Sequence, residues 1–259
     1  MMPMTNPVIS IITITKNSQK TLEYTIQSII AQNSSFYEYI IIDGGSGDGT
    51  QDIIKKYENF FSYWVSEPDQ GIYDAMTKGI KAAKGRWIYF LGSDDLLLPG
   101  IIEELKKYLI SDDVIYYGNV LRQGFIKPYD GYFDAIKLTK ENICQQAIFY
   151  PKKIFEKYSF NKKYRLWADY YLNIELFHDK NFKFEYIPLT IAKYGSSGLS
   201  SQNEDEIFIH ERNAIFKKYF SFKVYLYFKI YSLILPFKEF ACNIKKRIGV
   251  KDSGQSEEE

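Results

Sequence analysis

Two adjacent carboxylates, Asp94 and Asp95, follow five large apolar or aromatic residues, Trp87 to Leu91, with only Gly92 and Ser93 between. Neighbouring like charges close to a low-dielectric interior raise each other's pKa unless something positive sits nearby. Other acidic residues recur in comparable places. Asp43 ends an earlier apolar run, Asp69 lies in a Pro/Gly-marked loop after another, and Asp74 opens the helical pattern that follows. Each has an ordinary reading alone, as a turn residue or as a negative charge at a helix start. Together they outline an acidic edge that suits a cation. His178 and His210 are the only histidines and Cys144 and Cys242 the only cysteines, so nitrogen or sulfur ligation is disfavoured. Aspartates select hard cations, Mg2+ or Mn2+, which keep water and bind substrate phosphates as well. As a Lewis acid, such an ion would neutralise charge on a leaving phosphate.

The elements that must hold these residues alternate regularly over the first hundred positions. "VISIITIT" (Val8 to Thr15) reads as a strand, and Leu22, Ile26, Ile29 and Ile30 fall at helical spacing. "YEYIIID" (Tyr37 to Asp43) is a second strand, followed by a helix beginning near Thr50. "YWVSEPDQG" gives a short strand and loop, "IYDAMTKGIKAAKG" a helix stopped by Gly85, Trp87 to Leu91 a strand, and "GIIEELKKYLI" a helix. Strands without polar alternation, separated by helices, predict a parallel sheet covered on both faces. Ligands of such sheets bind beyond the carboxyl ends of the strands, where the aspartates fall. After residue 111 the alternation weakens. "DVIYYGNV" resembles a strand, "GFIKPYDGYFD" a loop or edge hairpin, "CQQAIFYPKKIF" a strand leading into a helix, and "YRLWADYYLNIELFHD" a long aromatic helix.

Composition is that of an ordinary globular chain, 46% apolar and 25% charged over 259 residues. A net charge of +1 selects neither nucleic acid nor an acidic partner. Two isolated cysteines make no disulfide framework and indicate a reducing, cytoplasmic setting. "MMPMTNP" lacks the charged region of a secretory signal, and "VISIITIT" is too short to span a bilayer. The glycine-rich "GGSGDGT" (Gly44 to Thr50) has no G-x-G-x-x-G register, and neither a P-loop nor a G-x-S-x-G elbow is present.

"SIITITKN", "EYIIIDGGSGDGT", "SEPDQGIYDAMTKGIKAAKG" and "WIYFLGSDD", in this order and spacing, resemble the family 2 glycosyltransferases, most of all bacterial polysaccharide enzymes of the colanic-acid type. The likeness is tight over residues 7 to 100 and looser over 140 to 201. It implies an α/β GT-A fold, Rossmann-like, with a mostly parallel central sheet flanked by helices and a C-terminal helical extension. It further implies that Thr13, Thr15 and Asn17 line a nucleotide pocket, that Asp43 accepts a hydrogen bond from the base, and that Asp69 and Asp74 lie along ribose and donor sugar. Ser93-Asp94-Asp95 matches the D-x-D-type element, with Asp95 the leading metal ligand and Asp94 beside ribose or metal. Asp169 matches the catalytic base that deprotonates the acceptor hydroxyl. An N-cap role on the helix over Tyr170 to Phe177 is compatible with that assignment. Three departures stand out. Thr77 replaces a frequent Asn, Gln145-Gln146 replaces a frequent His-Gln, and the Q-x-x-R-W element of processive members is missing, which favours single addition. "SSGLSSQ" (Ser196 to Gln202) resembles a small-residue loop that closes such sites, and equally a plain turn.

Residues 1–205 are thus expected to form the catalytic domain, with 1–110 binding nucleotide and 111–205 binding acceptor. Residues 206–250 would form an amphipathic helical extension, and 251–259 a disordered tail. Lys with Tyr, Phe and Leu from Lys217 to Lys246 suits a membrane surface, and equally packing on the domain or across a homodimer. The expected reaction is metal-dependent and inverting. It moves a hexose from a nucleotide-sugar donor, a UDP-sugar above all, to a saccharide or lipid-linked saccharide acceptor. The expected location is the inner face of the cytoplasmic membrane. Alternatives are a Mg2+-dependent nucleotidyltransferase, which leaves Asp169 without a role, and an inactive nucleotide-sugar-binding module.

Overall fold

A computed structural model describes residues 7–32, 35–122, 128–129, 131–195 and 204–247. The first ninety residues fold as their pattern predicts. Strand β1 (Ile9–Thr15), helix α1 (Leu22–Ile30), β2 (Tyr37–Asp43), α2 (Thr50–Lys56), β3 (Tyr63–Ser66), α3 (Ile72–Ala82) and β4 (Trp87–Phe90) follow in turn. Then come β5 (Leu96–Leu97), α4 (Ile101–Leu105), β6 (Val114–Arg122), β7 (Pro128–Tyr129), α5 (Ala135–Leu138), β8 (Ile148–Pro151), α6 (Ile154–Lys157), α7 (Ala168–His178) and β9 (Lys183–Tyr194). Helices α8 (Glu206–Tyr219) and α9 (Phe222–Arg247) complete the described residues.

All strands among the described residues join one sheet in the order β3-β2-β1-β4-β8-β6-β9-β5, with β7 paired to β6. β1, β2, β3 and β4 are mutually parallel, and β6 and β9 share their direction; β8, β5 and β7 oppose it. The carboxyl ends of β1, β2, β3 and β4 therefore meet at one edge, which gathers the acidic residues.

Side chains alternate between two buried layers, as a period of two demands. Ile12, Ile40, Ile42, Ile88 and Phe90 face one layer with Tyr73 and Met76 of α3. Ile11, Tyr39, Ile41, Trp87 and Tyr89 face the other with Ile26 of α1 and Leu105 of α4. Each fully buried Ile contributes about 1.5–3 kcal/mol, so the apolar runs hold the rods that carry the site. Helix α8 joins the first layer through Phe208 and Phe216, and α9 through Phe228.

Two differences from the sequence reading have local causes. The expected helix at "GIIEELKKYLI" is α4 alone and ends at Leu105, after which the chain turns. Strand β9 is not anticipated at all, because Pro188 and mixed polarity disguise it. Its register against β6 shifts between Tyr117 and Asn119, a bulge that accommodates the proline.

Helix α3 lies so close to β1 that a Cβ on Gly79 would sit 2.5 Å from Ile12 Cγ2. We expect Gly79→Ala to cost about 1–3 kcal/mol by overpacking, despite alanine's better helix propensity, as read in denaturant unfolding. Equal or higher stability would show that the contact yields.

Candidate functional site

A cavity of about 1290 Å3 opens at the carboxyl ends of β1 and β4. The segment 139–146 and the start of α7 form its opposite wall. Thr15, Asn17, Asp69, Asp94, Asp95 and Asp169 all line it; Thr13, Asp43 and Asp74 do not.

On the β1 side the wall is built from crossed loops. Thr15 is 95% buried from its 5% exposure, and its Oγ1 has no hydrogen-bond partner. An orphaned buried hydroxyl costs free energy, so a polar ligand has a partner waiting there. Asn17 adopts a left-handed φ of 52°, a conformation asparagine tolerates better than most residues. Its N–H donates to Ser46 Oγ (2.8 Å) and its Oδ1 accepts from the Gly47 N–H (3.0 Å), tying the end of β1 to the glycine-rich loop. Ser18 and Ser93 hydroxyls meet at 2.8 Å, which links that corner to the Asp94 loop. Asp69 accepts from the Gly71 N–H at 2.9 Å, and a Cβ on Gly44 would collide with its carboxylate at 2.2 Å. Glycine at 44 is what lets this carboxylate approach.

The remaining expected residues have structural partners. Thr13 is buried and accepts from the Tyr39 hydroxyl (3.2 Å). Asp43 is buried and accepts from the Ser46 N–H (3.0 Å), Ser66 Oγ (2.6 Å) and the Ser46 hydroxyl, so it shapes the loop after β2. Asp74 pairs with Lys162 (2.6 Å), which holds its carboxyl below the ordinary value. Thr77 turns its hydroxyl onto the Tyr73 carbonyl within α3.

Asp94 and Asp95 differ sharply. Asp95 has no exposed surface, and its Oδ1 accepts from the Gly195 N–H (2.8 Å). Its Oδ2 accepts from Gln146 Nε2 (2.7 Å) and the Gly92 N–H (3.1 Å). Burial first, and the Asp94 charge as well, push its pKa from 3.8 to about 6 against these donors. Asp94 is half-buried on the cavity wall. The residues suit a hard divalent cation that takes few protein ligands. Among the described residues no three His, Cys, Asp or Glu side chains converge on a point. One or two carboxylates, water and a ligand's phosphates would complete the shell. Asp94 is the more exposed of the pair, whereas the expectation makes Asp95 the leading ligand; three of about four lone-pair sites on Asp95 are already taken.

Asp169 stands across the cavity in the first turn of α7, one residue inside the helix and so past the cap position, which Trp167 holds. Tyr73 Oη donates to its Oδ1 (2.6 Å) and Asn142 Nδ2 to its Oδ2 (2.7 Å). Desolvation dominates and raises its pKa; Tyr73, backbone N–H groups at the helix start and Asn142 act in the opposite direction. Tyr73, Asn142 and Gly195 were not signalled by the sequence, since tyrosine, asparagine and glycine are too common to mark a site without coordinates. Gln146 was visible only as the unchanged half of the Gln145-Gln146 pair, whose first residue departs from the family pattern. Ser196 to Gln202 lie outside the described residues, as do residues 248–259.

A family model described as glycosyl transferase family 2 matches residues 10–163. A PGL/p-HBAD biosynthesis glycosyltransferase of Mycobacterium bovis is 34% identical over 221 residues, covering 80% of this chain and 84% of that protein. A putative teichuronic acid biosynthesis glycosyltransferase of Bacillus subtilis is 37% identical over 112 residues, covering 41% of this chain and 44% of that one. Among solved structures, a mannosyltransferase from Pyrobaculum calidifontis in complex with GDP-Man and Mn2+ superposes with a TM-score of 0.62 at 13% identity, covering 95% and 89% of the two chains. S. aureus TarS 1-349 in complex with UDP superposes at 0.61 and 16%, covering 82% and 70%. These two likenesses establish the GT-A fold.

The Asp95 environment makes stability depend on pH. Its folded pKa of about 6 exceeds its ordinary 3.8, so the folded state binds the proton more tightly. Without divalent cation, the unfolding free energy contributed by this group falls as pH rises from about 4 to about 6, by up to about 3 kcal/mol. Denaturant unfolding across that window should show a shallower fall for Asp95→Asn than for the wild type. Parallel curves would assign the buried charge elsewhere.

Proposed function

The chain belongs to glycosyl transferase family 2 and is a glycosyltransferase, and from that premise we propose that it transfers a hexose with inversion from a nucleotide-diphosphate donor, a UDP-sugar, to a saccharide or lipid-linked saccharide in surface polysaccharide synthesis. The observation that carries this reading is Asp169: a desolvated carboxylate, oriented by two donors, across one cavity from Asp94. Relatives named for PGL/p-HBAD and teichuronic acid biosynthesis support the product class, and neighbours bound to UDP, UDP-GlcNAc and GDP-Man support the donor class.

In this mechanism the diphosphate lies on the Asp94 side, with Thr15 Oγ1 and the Asn17 corner available to nucleotide. Asp94 would hold Mg2+ or Mn2+, with Asp95 behind it fixing the loop, and the ion would supply charge neutralisation for the leaving diphosphate. The acceptor hydroxyl binds toward Asp169. Its proton passes to the Asp169 carboxylate as its oxygen forms a bond to the anomeric carbon. The bond from that carbon to the diphosphate oxygen breaks and its electron pair leaves with the diphosphate. One displacement inverts the centre, and single addition follows from the missing Q-x-x-R-W element. Raised by burial, the Asp169 pKa makes its carboxylate a stronger base than an exposed one. A nucleotidyltransferase would release pyrophosphate and use no base at this position.

A membrane surface is the proposed location of the acceptor. Phe222, Leu226, Ile230 and Leu233 are exposed at helical spacing on α9, with Tyr227 and Ile234 beside them. No helix among the described residues is long and apolar enough to cross a membrane. A monotopic contact is the arrangement such a stripe suits.

Three measurements test the reading. A nucleotide-sugar screen with Mn2+ should release free nucleoside diphosphate, and Asp169→Asn should lower turnover by about 10²–10⁴-fold; pyrophosphate, or a variant with full turnover, would overturn it. Chelation or Asp94→Ala should abolish turnover, with Mn2+ restoring the chelated wild type and not the variant. In flotation with anionic liposomes, Ile230→Glu/Leu233→Glu should stay with the soluble fraction while the wild type floats; if the pair instead converts a dimer to a monomer, the stripe is a subunit contact.

A further inference from the structure

The base does not stand alone. Behind Asn142 a chain of hydrogen bonds continues into the core. Asn142 Oδ1 accepts from Asn173 Nδ2 (2.8 Å), and Asn173 Oδ1 accepts from the Tyr150 hydroxyl (2.7 Å). Asn173 and Tyr150 have no exposed surface. Three elements supply the members: α7 carries Asp169 and Asn173 four residues apart on one face, β8 carries Tyr150, and Asn142 lies in the cavity wall before the turn at Gln145–Ala147.

The direction of this chain follows from its end. An ionised carboxylate only accepts, so Asn142 must turn its NH2 to Asp169 and its carbonyl oxygen to Asn173. Asn173 must then present its own NH2 to Asn142 and its oxygen to Tyr150, which is left to donate. Every member is oriented to favour negative charge on Asp169, and none can flip without leaving two donors or two acceptors face to face. Resting on the reading of Asp169 as the base, we propose that Asn142 and Asn173 are positioning residues, which with Tyr150 form a one-way hydrogen-bond chain that fixes the carboxylate plane and holds it ionised until the acceptor hydroxyl arrives.

The other groups around Asp169 leave this task to the chain. Tyr73 from α3 reaches Oδ1 and shares its one hydroxyl proton with the Leu166 carbonyl (2.7 Å), and its ring is packed against Phe160. Tyr170 turns its hydroxyl away to the Leu138 carbonyl. Lys140 and Glu141 from the 139–146 wall, Arg212 from α8 and Arg122 at the end of β6 are charged side chains that line the cavity. Lys140 sits over the Tyr227 and Tyr231 rings. The Oδ2 side of the carboxylate is therefore governed through Asn142.

A purely structural network would satisfy buried groups without touching the titration of the base, and this separates the two. The full-length protein is labelled with [13Cγ]aspartate, and the Asp169 resonance is identified by its loss in Asp169→Asn. Its pH midpoint is then followed in wild type, Asn142→Ala, Asn142→Asp and Asn173→Leu, each checked for folding by circular dichroism. Asn142→Ala should raise the midpoint by about one to two pH units, the loss of one hydrogen bond to a charge. Asn142→Asp should raise it further through like-charge repulsion, and Asn173→Leu should raise it less, because Asn142 loses only its anchor. With a turned-over donor, the acidic limb of kcat/KM should move with the midpoint while donor KM stays unchanged. Unmoved midpoints in folded Asn142→Ala and Asn142→Asp, or a changed donor KM with an unmoved acidic limb, would overturn the proposal. The titration needs no turnover, so an inactive donor screen would count against the function and leave this result standing.

Discussion

A carboxylate removed from water must be met by donors, and the structure meets Asp95 with three from distant parts of the chain. The Gly92 N–H comes from the end of β4, Gln146 from the turn entering β8, and the Gly195 N–H from the end of β9. An unpaired buried charge costs several kcal/mol, so these segments cannot separate without exposing that penalty. The sheet order places β8, β6 and β9 beyond β4, and this one side chain closes the far strands back against the near edge. The same contact holds Asp94 at the cavity wall, because the loop that carries it is pinned on both sides: Thr25 Oγ1 donates to the Asp95 carbonyl (2.8 Å), and Ser93 meets Ser18.

That closure explains why the site lies across two differently built halves. Near strands are parallel, apolar and rigid, and they deliver loop residues to one edge. The far wall is irregular, and it delivers Asn142, Gln146 and the start of α7. Asp205 extends the arrangement to α8: its carboxylate caps that helix at the Phe208 N–H (3.1 Å) and also accepts from the Leu166 N–H (2.9 Å), just before α7. The first helix of the C-terminal extension is thus tied to the loop that aims Asp169, and Arg212 of that helix reaches the cavity.

Much of this was legible in the sequence, and the limits are physical. A buried parallel strand needs an unbroken β-branched run, so β1, β2 and β4 announce themselves, and the carboxylates that follow them mark the edge. What periodicity cannot report is which way one residue of an adjacent pair faces. Asp94 and Asp95 differ by one position; the fold turns one to the wall and buries the other, a choice made by Gln146 and Gly195, which are 51 and 100 residues from Asp95. Strand β9 was hidden because its bulge lets Pro188 sit within a paired strand. Helix α7 was legible as a helix, whereas its burial on several faces, with Tyr170, Leu172, Asn173 and Ile174 all enclosed, left no polar side to show that Asn173 bonds to Asn142 beside Asp169.

Desolvation raises the pKa of both Asp95 and Asp169, yet their donors suit them to different work. Asp95 is held by two backbone N–H groups and one amide, with no surface left for a reactant, which makes it a fixed part of the frame. Asp169 accepts from a phenol and an amide on side chains, remains half-buried, and faces the open cavity. The base proposed at Asp169 has to be desolvated enough to want a proton, ionised enough to take one, and accessible when it arrives. Burial provides the first, the donors around Asp169 the second, and the helix start facing the cavity the third. Two carboxylates made alike by burial are divided by what hydrogen-bonds to them and by what their lone pairs can still reach.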